Sequence, residues 1–143
     1  MRIRGLILLN PYFGGEARTM SESKERQGTA GFTVEMSDVL WRMALPVGSN
    51  RNHHFCNPLA PYTGMPDVWS LAGPLPQTVM VIGGLDILRD KQLEYCEHLK
   101  KCSKQIIEIV EFEEEDHGFA VKLEQQSSIK LIEYASHFIK SAS

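Results

Sequence analysis

Asp86 and His117 are the two residues of this chain whose type and setting could do chemistry together. Asp86 lies in Gly83-Gly84-Leu85-Asp86-Ile87-Leu88-Arg89-Asp90, directly after the apolar run Thr78-Val79-Met80-Val81-Ile82. His117 lies in Asp116-His117-Gly118-Phe119, after a second apolar run, Ile106-Ile107-Glu108-Ile109-Val110. A carboxylate just past one strand and a histidine just past the next follow the chain order of the last two members of a Ser…Asp…His triad. In such a triad the imidazole is the general base. A buried carboxylate fixes its other ring nitrogen and stabilises the positive charge that develops. The nucleophile must sit within hydrogen-bond reach of that base. Its usual signature does not occur: the sequence has no Gly-x-Ser-x-Gly and no His-Gly-Gly.

A histidine in a loop is most often a surface residue, and Glu113-Glu114-Glu115 alone would read as a solvated acidic turn. The Gly-Gly-Leu-Asp segment upstream is what singles out His117. His53, His54, His98 and His137 have no such context and are expected to be exposed or structural. The acid could be Asp86 or Asp90. Asp86 lies closer to the strand end and takes the triad role, whereas Asp90 falls at a helix start, where free amides and the helix dipole favour a carboxylate for structural reasons.

Three strands and three helices position these loops. Ile3–Asn10 is a continuous apolar run ended by Pro11, the pattern of a strand covered on both faces. Left without a neighbour, so apolar an edge would invite aggregation. Glu16–Thr33 is polar and Gly-rich and reads as a loop. Val34–Leu45 has helical spacing at Val34, Asp38, Trp41 and Leu45, and Pro46 ends it. Val47–Pro76 is long, irregular and rich in Pro, Gly and Asn. Thr78–Ile82 is the second strand. Leu88–Cys102 is a helix with Leu93, Cys96 and Leu99 on one side, and Gln105–Phe112 is the third strand. Glu124–Lys140 is the last helix, with Leu131, Ile132, Ala135, Phe138 and Ile139 as its expected buried stripe. Strands alternating with helices predict a parallel sheet with right-handed crossovers. Reactive groups of such sheets gather at the carboxyl ends of the strands.

Composition narrows the classes further. At 143 residues the chain is one domain at most. Fifteen Lys and Arg against 18 Asp and Glu give a net charge of −3, too mild for nucleic acid, and the short Lys100-Lys101-Cys102-Ser103-Lys104 segment suits a helix C-terminus. Cys56, Cys96 and Cys102 are odd in number and irregularly spaced, so they read as reduced thiols of a cytoplasmic protein and not as metal ligands or a disulfide framework. The apolar stretch after Met1 is too short for a signal peptide, and no stretch approaches a membrane span.

Read in order, these motifs resemble those of the plant carboxylesterases in the hormone-sensitive-lipase-like branch of the α/β-hydrolases. The likeness runs through Arg4-Gly5, Leu8-Leu9-Asn10-Pro11-Tyr12-Phe13-Gly14-Gly15, Asp38, Trp41-Arg42-Met43-Ala44-Leu45-Pro46-Val47-Gly48 and Cys56-Asn57-Pro58-Leu59. It continues through Val81–Asp90, Val110-Glu111-Phe112 and His117-Gly118-Phe119. The resemblance implies that residues 1–143 are the C-terminal half of an α/β-hydrolase domain, a mostly parallel sheet with flanking helices. Tyr12–Pro76 would be a lid or pocket insertion and long loop, with Trp41 packing rather than touching substrate. It implies a Ser-His-Asp carboxylic ester hydrolase acting on a small-molecule ester, with Asp86 and His117 in the acid and base positions. The serine elbow and oxyanion loop are then expected before Met1, so the chain alone is expected to be inactive, whether as a fragment or as a truncated product. No cofactor, metal, nucleic acid or membrane is implied, and oligomeric state stays open. Two alternatives share the branch: gibberellin receptors, in which the resemblance implies loss of the histidine, and hydroxyisoflavanone-dehydratase-like enzymes, which differ around the nucleophile.

Overall fold

A computed structural model describes residues 3–23, 31–61, 76–102 and 107–141. Among these residues, three parallel strands, β1 (Gly5–Leu9), β2 (Gln77–Gly83) and β3 (Ile107–Phe112), form a sheet in the order β1-β2-β3. Ile7 lies opposite Val79, and Val79 opposite Glu108. Four α-helices of the same described residues accompany them: α1 (Met20–Ser23), α2 (Val34–Ala44), α3 (Arg89–Cys102) and α4 (Gln126–Ser141). The expected β2-α3-β3 and α4 segments agree with these elements to within two residues at the described ends. Gln105 and Ile106 of the expected third strand, and 62–75 of the long loop, lie outside the described residues.

β2 is central, and its side chains supply both faces of the sheet. Met80 and Ile82 pack with Cys96, Leu99 and Ile107 on the α3 side. Val79 and Val81 pack with Phe119, Leu131 and Phe138 on the α4 side. Successive strand residues point to opposite faces, so a strand covered on both faces must be apolar throughout. β1 fits this rule less well. Leu6 and Leu9 remain 39% and 49% exposed, against the expectation of a strand covered on both faces, because among the described residues nothing packs beyond it. The α4 stripe also needs correcting. Leu131 and Phe138 are buried, whereas Ile132 and Ile139 are exposed. They lie on the flank of α4 turned away from the sheet.

The segment read as a loop, Glu16–Thr33, contains α1. The helix begins with a reciprocal cap: the Glu22 amide donates to Thr19 Oγ1 at 3.3 Å, and the Thr19 amide donates to Glu22 Oε2 at 3.0 Å. Thr19-Met20-Ser21-Glu22 is thus a capping box. Four residues are too few for a periodic signal. Glu22 is buried and accepts from Arg18 at 2.9 Å and Arg51 at 2.7 Å, and both arginines also reach Asp38, at 2.5 and 2.8 Å. This four-residue network ties α1, α2 and the loop after α2 together. The end of α2 is local in origin: Leu45 turns extended before Pro46.

Candidate active site

The loops that carry Asp86 and His117 lie side by side at the carboxyl ends of β2 and β3. The Gly84 amide donates to the Phe112 carbonyl and the Leu85 amide to the Glu115 carbonyl, each at 2.9 Å. Glycine is required where the loops meet, since a Cβ at Gly83 would overlap the Glu115 carbonyl oxygen and one at Gly84 that of Glu113. Beyond β3, Gly118 takes the left-handed conformation at φ 77°. That turn sends Phe119 into the core beneath the sheet. His117 is therefore held between a zipped loop and a buried aromatic anchor.

His117 Nδ1 lies 2.8 Å from Asp86 Oδ2. Asp86 is 1% exposed, and the His117 side chain is 18% exposed. Burial alone raises the Asp86 pKa. The hydrogen bond and charge of His117, the Leu88 amide and Gln92 outweigh it, and the carboxyl rests below its ordinary value. An ionised carboxylate only accepts, so Nδ1–H is the donor, and Nε2 is the nitrogen left to exchange a proton. Three other groups hold the carboxylate. Leu88 N donates to Oδ1 at 2.8 Å, Gln92 Nε2 to Oδ2 at 2.9 Å and Asn10 Nδ2 to Oδ2 at 3.2 Å.

The depressed Asp86 pKa links folding to pH. An ordinary Asp carboxyl titrates at about 3.9 when unfolded. The stabilisation from Asp86 is complete above that value and is lost as pH falls through the lower folded one. The stability gap between the parent chain and Asp86→Ala should therefore be widest near neutral pH and should narrow below about pH 4. Urea unfolding followed by circular dichroism across that range checks this.

Asp90, the alternative acid, points elsewhere. Its Oδ2 accepts from the Ser21 amide at 2.8 Å, and its own amide donates to Ser21 Oγ at 3.3 Å. It fastens α1 to the first turn of α3. Asp90→Ala should cost about 1–2 kcal/mol in denaturant unfolding while leaving the His117–Asp86 spacing intact, read from the His117 ring resonances. His53 and His54 meet Phe55 edge-on, and His98 lies 3.3 Å from Cys102 Sγ. Neither group reaches Asp86.

Aromatic rings wall the imidazole. Phe32 lies 4.8 Å from the His117 ring centroid and Tyr12 5.8 Å from it. Tyr12 stacks on buried Trp41 at 4.5 Å and donates its hydroxyl to the Ser37 carbonyl at 2.9 Å. Trp41 thus packs, as expected, by bracing a ring that borders His117. Phe32, Asn10 and Gln92 are the participants that the spacing of chemistry-bearing residues did not single out. Gln92 carries the one visible signal, a polar residue one turn after Leu88 and one turn before Cys96 on the apolar side of α3.

A family model described as the alpha/beta hydrolase fold matches residues 1–121. The chain belongs to this family. Gibberellin receptor GID1A of Arabidopsis thaliana is 41% identical over 118 residues, covering 82% of this chain and 32% of the receptor. The protein named "Probable carboxylesterase 6", also of Arabidopsis thaliana, is 34% identical over 110 residues, covering 75% of this chain and 30% of that protein. The crystal structure of esterase LipW from Mycobacterium marinum matches with a TM-score of 0.72 at 24% identity, over 98% of this chain and 41% of LipW. The first two are relatives in the plant hormone-sensitive-lipase-like branch that the motifs resembled, and the third is a fold neighbour. This α/β-hydrolase chain spans about a third of the length of the curated relatives it matches. Among its described residues, no helix is long and apolar enough to cross a membrane, and no cluster of His, Cys, Asp or Glu could hold a metal ion.

Proposed function

We propose that this chain supplies the acid and the base of a carboxylic ester hydrolase acting on small-molecule esters. The observation that carries the proposal is the 2.8 Å contact between His117 Nδ1 and a buried, depressed-pKa Asp86. The carboxylate holds the imidazole in the tautomer whose Nε2 can accept a proton. A serine hydroxyl contributed by the rest of the domain gives its proton to Nε2 as its oxygen attacks the ester carbonyl carbon. His117 returns that proton to the departing alkoxide, which leaves as the alcohol. A water molecule, deprotonated by the same nitrogen, then releases the acid and frees the serine. Asp86 stays ionised throughout and offsets the imidazolium charge.

The test is the turnover of short-chain p-nitrophenyl esters by the complete protein and its His117→Ala variant. Removal of a triad base lowers kcat by several orders of magnitude. A folded variant as active as its parent would refute the assignment. A ligand-binding role without turnover is the second reading, favoured by the higher identity to the gibberellin receptor than to the carboxylesterase. That reading predicts no ester turnover even in the parent.

A further inference from the structure

We propose that Asn10 and Gln92 are positioning residues, a pair of side-chain amides that keeps the Asp86 carboxylate charged and fixed in one orientation. The inference rests on the reading of Asp86 as the partner of His117. Asp86 Oδ2 accepts three hydrogen bonds: from His117 Nδ1, Gln92 Nε2 and Asn10 Nδ2. Only the first belongs to the acid–base pair. The other two come from the end of β1 and from α3. Asn10 leaves the end of β1 in the left-handed conformation, at φ 39°, and its backbone amide is anchored to the Val81 carbonyl at 2.9 Å. Gln92 projects from the first turn of α3 and spans Asp86 and the Pro11 carbonyl, at 2.9 and 3.1 Å.

The orientation of these amides is informative. Both aim their NH₂ groups at Oδ2, and the carbonyl oxygens left behind, Asn10 Oδ1 and Gln92 Oε1, are buried with no hydrogen-bond partner among the described residues. A buried acceptor without a donor is destabilising. Turned the other way, each amide would set its carbonyl oxygen against the Asp86 carboxylate, which cannot donate to it. Here both are turned to serve the carboxylate. Two donors on the oxygen that also holds His117 disfavour protonation of that oxygen and resist rotation of the carboxyl group. The negative charge consequently stays beside Nδ1 when the imidazole gains its second proton. A hydrogen bond to a charged group is stronger than a neutral one, and its loss should raise the Asp86 pKa.

A carbon-detected NMR titration of the Asp86 carboxyl in the 143-residue chain tests this. The variants are Gln92→Met, which keeps the volume of the side chain, and Asn10→Gly, which tolerates the left-handed backbone. Each should raise the Asp86 midpoint by about one unit, the worth of one hydrogen bond to a charged group, with the amide resonances of Val79–Ile82 unchanged. Should Gln92→Met fail to fold, Asn10→Gly carries the test alone. A purely structural role would lower the melting temperature and leave the midpoint where it was, and that result in the folded variants overturns the proposal. Ester turnover does not enter this readout, so the hydrolase reading stands or falls separately on His117→Ala.

Discussion

Asp86→Asn should lower kcat for ester hydrolysis by the complete protein by about 10³–10⁴-fold, with a much smaller change in KM. The upper figure is the penalty for the same change in serine protease triads, where the histidine is left in the wrong tautomer. The surroundings of Asp86 explain why neither orientation of an amide can replace the carboxylate. With its NH₂ at the Oδ2 position, the substituted side chain would face the Gln92 and Asn10 donors and force His117 to present an unprotonated Nδ1. With its carbonyl there, it would keep the His117 bond but set its NH₂ against the Leu88 amide, which donates to Oδ1 at 2.8 Å. That second arrangement preserves the tautomer and removes the negative charge. Both arrangements disfavour the imidazolium. Steady-state kinetics together with near-ultraviolet circular dichroism, to show that the fold persists, would check the expectation. A variant within tenfold of its parent would mean that Asp86 orients nothing of catalytic consequence.

Glu22→Ala should destabilise the fold strongly although Glu22 lies outside the sheet. Its side chain is fully buried and accepts from two guanidinium groups and the Thr19 amide. Burial raises its pKa, but Arg51, the Thr19 amide and Arg18 more than compensate and leave it depressed. Removing the carboxylate strands Arg51, whose side chain is only 12% exposed, with Asp38 as its remaining ionic partner among the described residues. Breaking a buried pair from one side costs about 3–5 kcal/mol, because the charge left behind stays desolvated. A melting temperature lower by about 10 °C or more is the expected outcome. Glu22→Gln, which keeps the shape and some of the hydrogen bonds, should lose less. Equal melting temperatures for Glu22→Ala and the parent would show that the network is a surface decoration of α1.

The fold was legible in the sequence where the physics is local. Val79–Ile82 is apolar throughout because both faces of β2 are covered, and the Gly-Gly and His-Gly-Phe segments mark the turns that close over its end. Legibility failed where the deciding partner is distant in the chain. Ile132 and Ile139 fit a helical stripe as well as Leu131 and Phe138 do, and only the position of the sheet distinguishes the two sets. Glu22 and Arg51 are ordinary charged residues until α1 and the loop after α2 meet. Asn10 reads as the residue that ends a strand before a proline. Its role beside Asp86, 76 residues later, depends on the pairing of β1 with β2, which no pattern inside Ile3–Asn10 can encode. The edge position of β1 was legible, as a strand too apolar to lack a neighbour; which of its residues stay open, Leu6 and Leu9, was not.

Asp86 and His117 stand 31 residues apart and belong to one β2-α3-β3 unit. That unit and the loop that leaves it contain both members of the pair, the glycines that bring their loops together and one of the two amides that brace the acid. The spacing of the pair is thereby set by short-range contacts, so a substitution that loosens it acts through this stretch of chain or through Asn10.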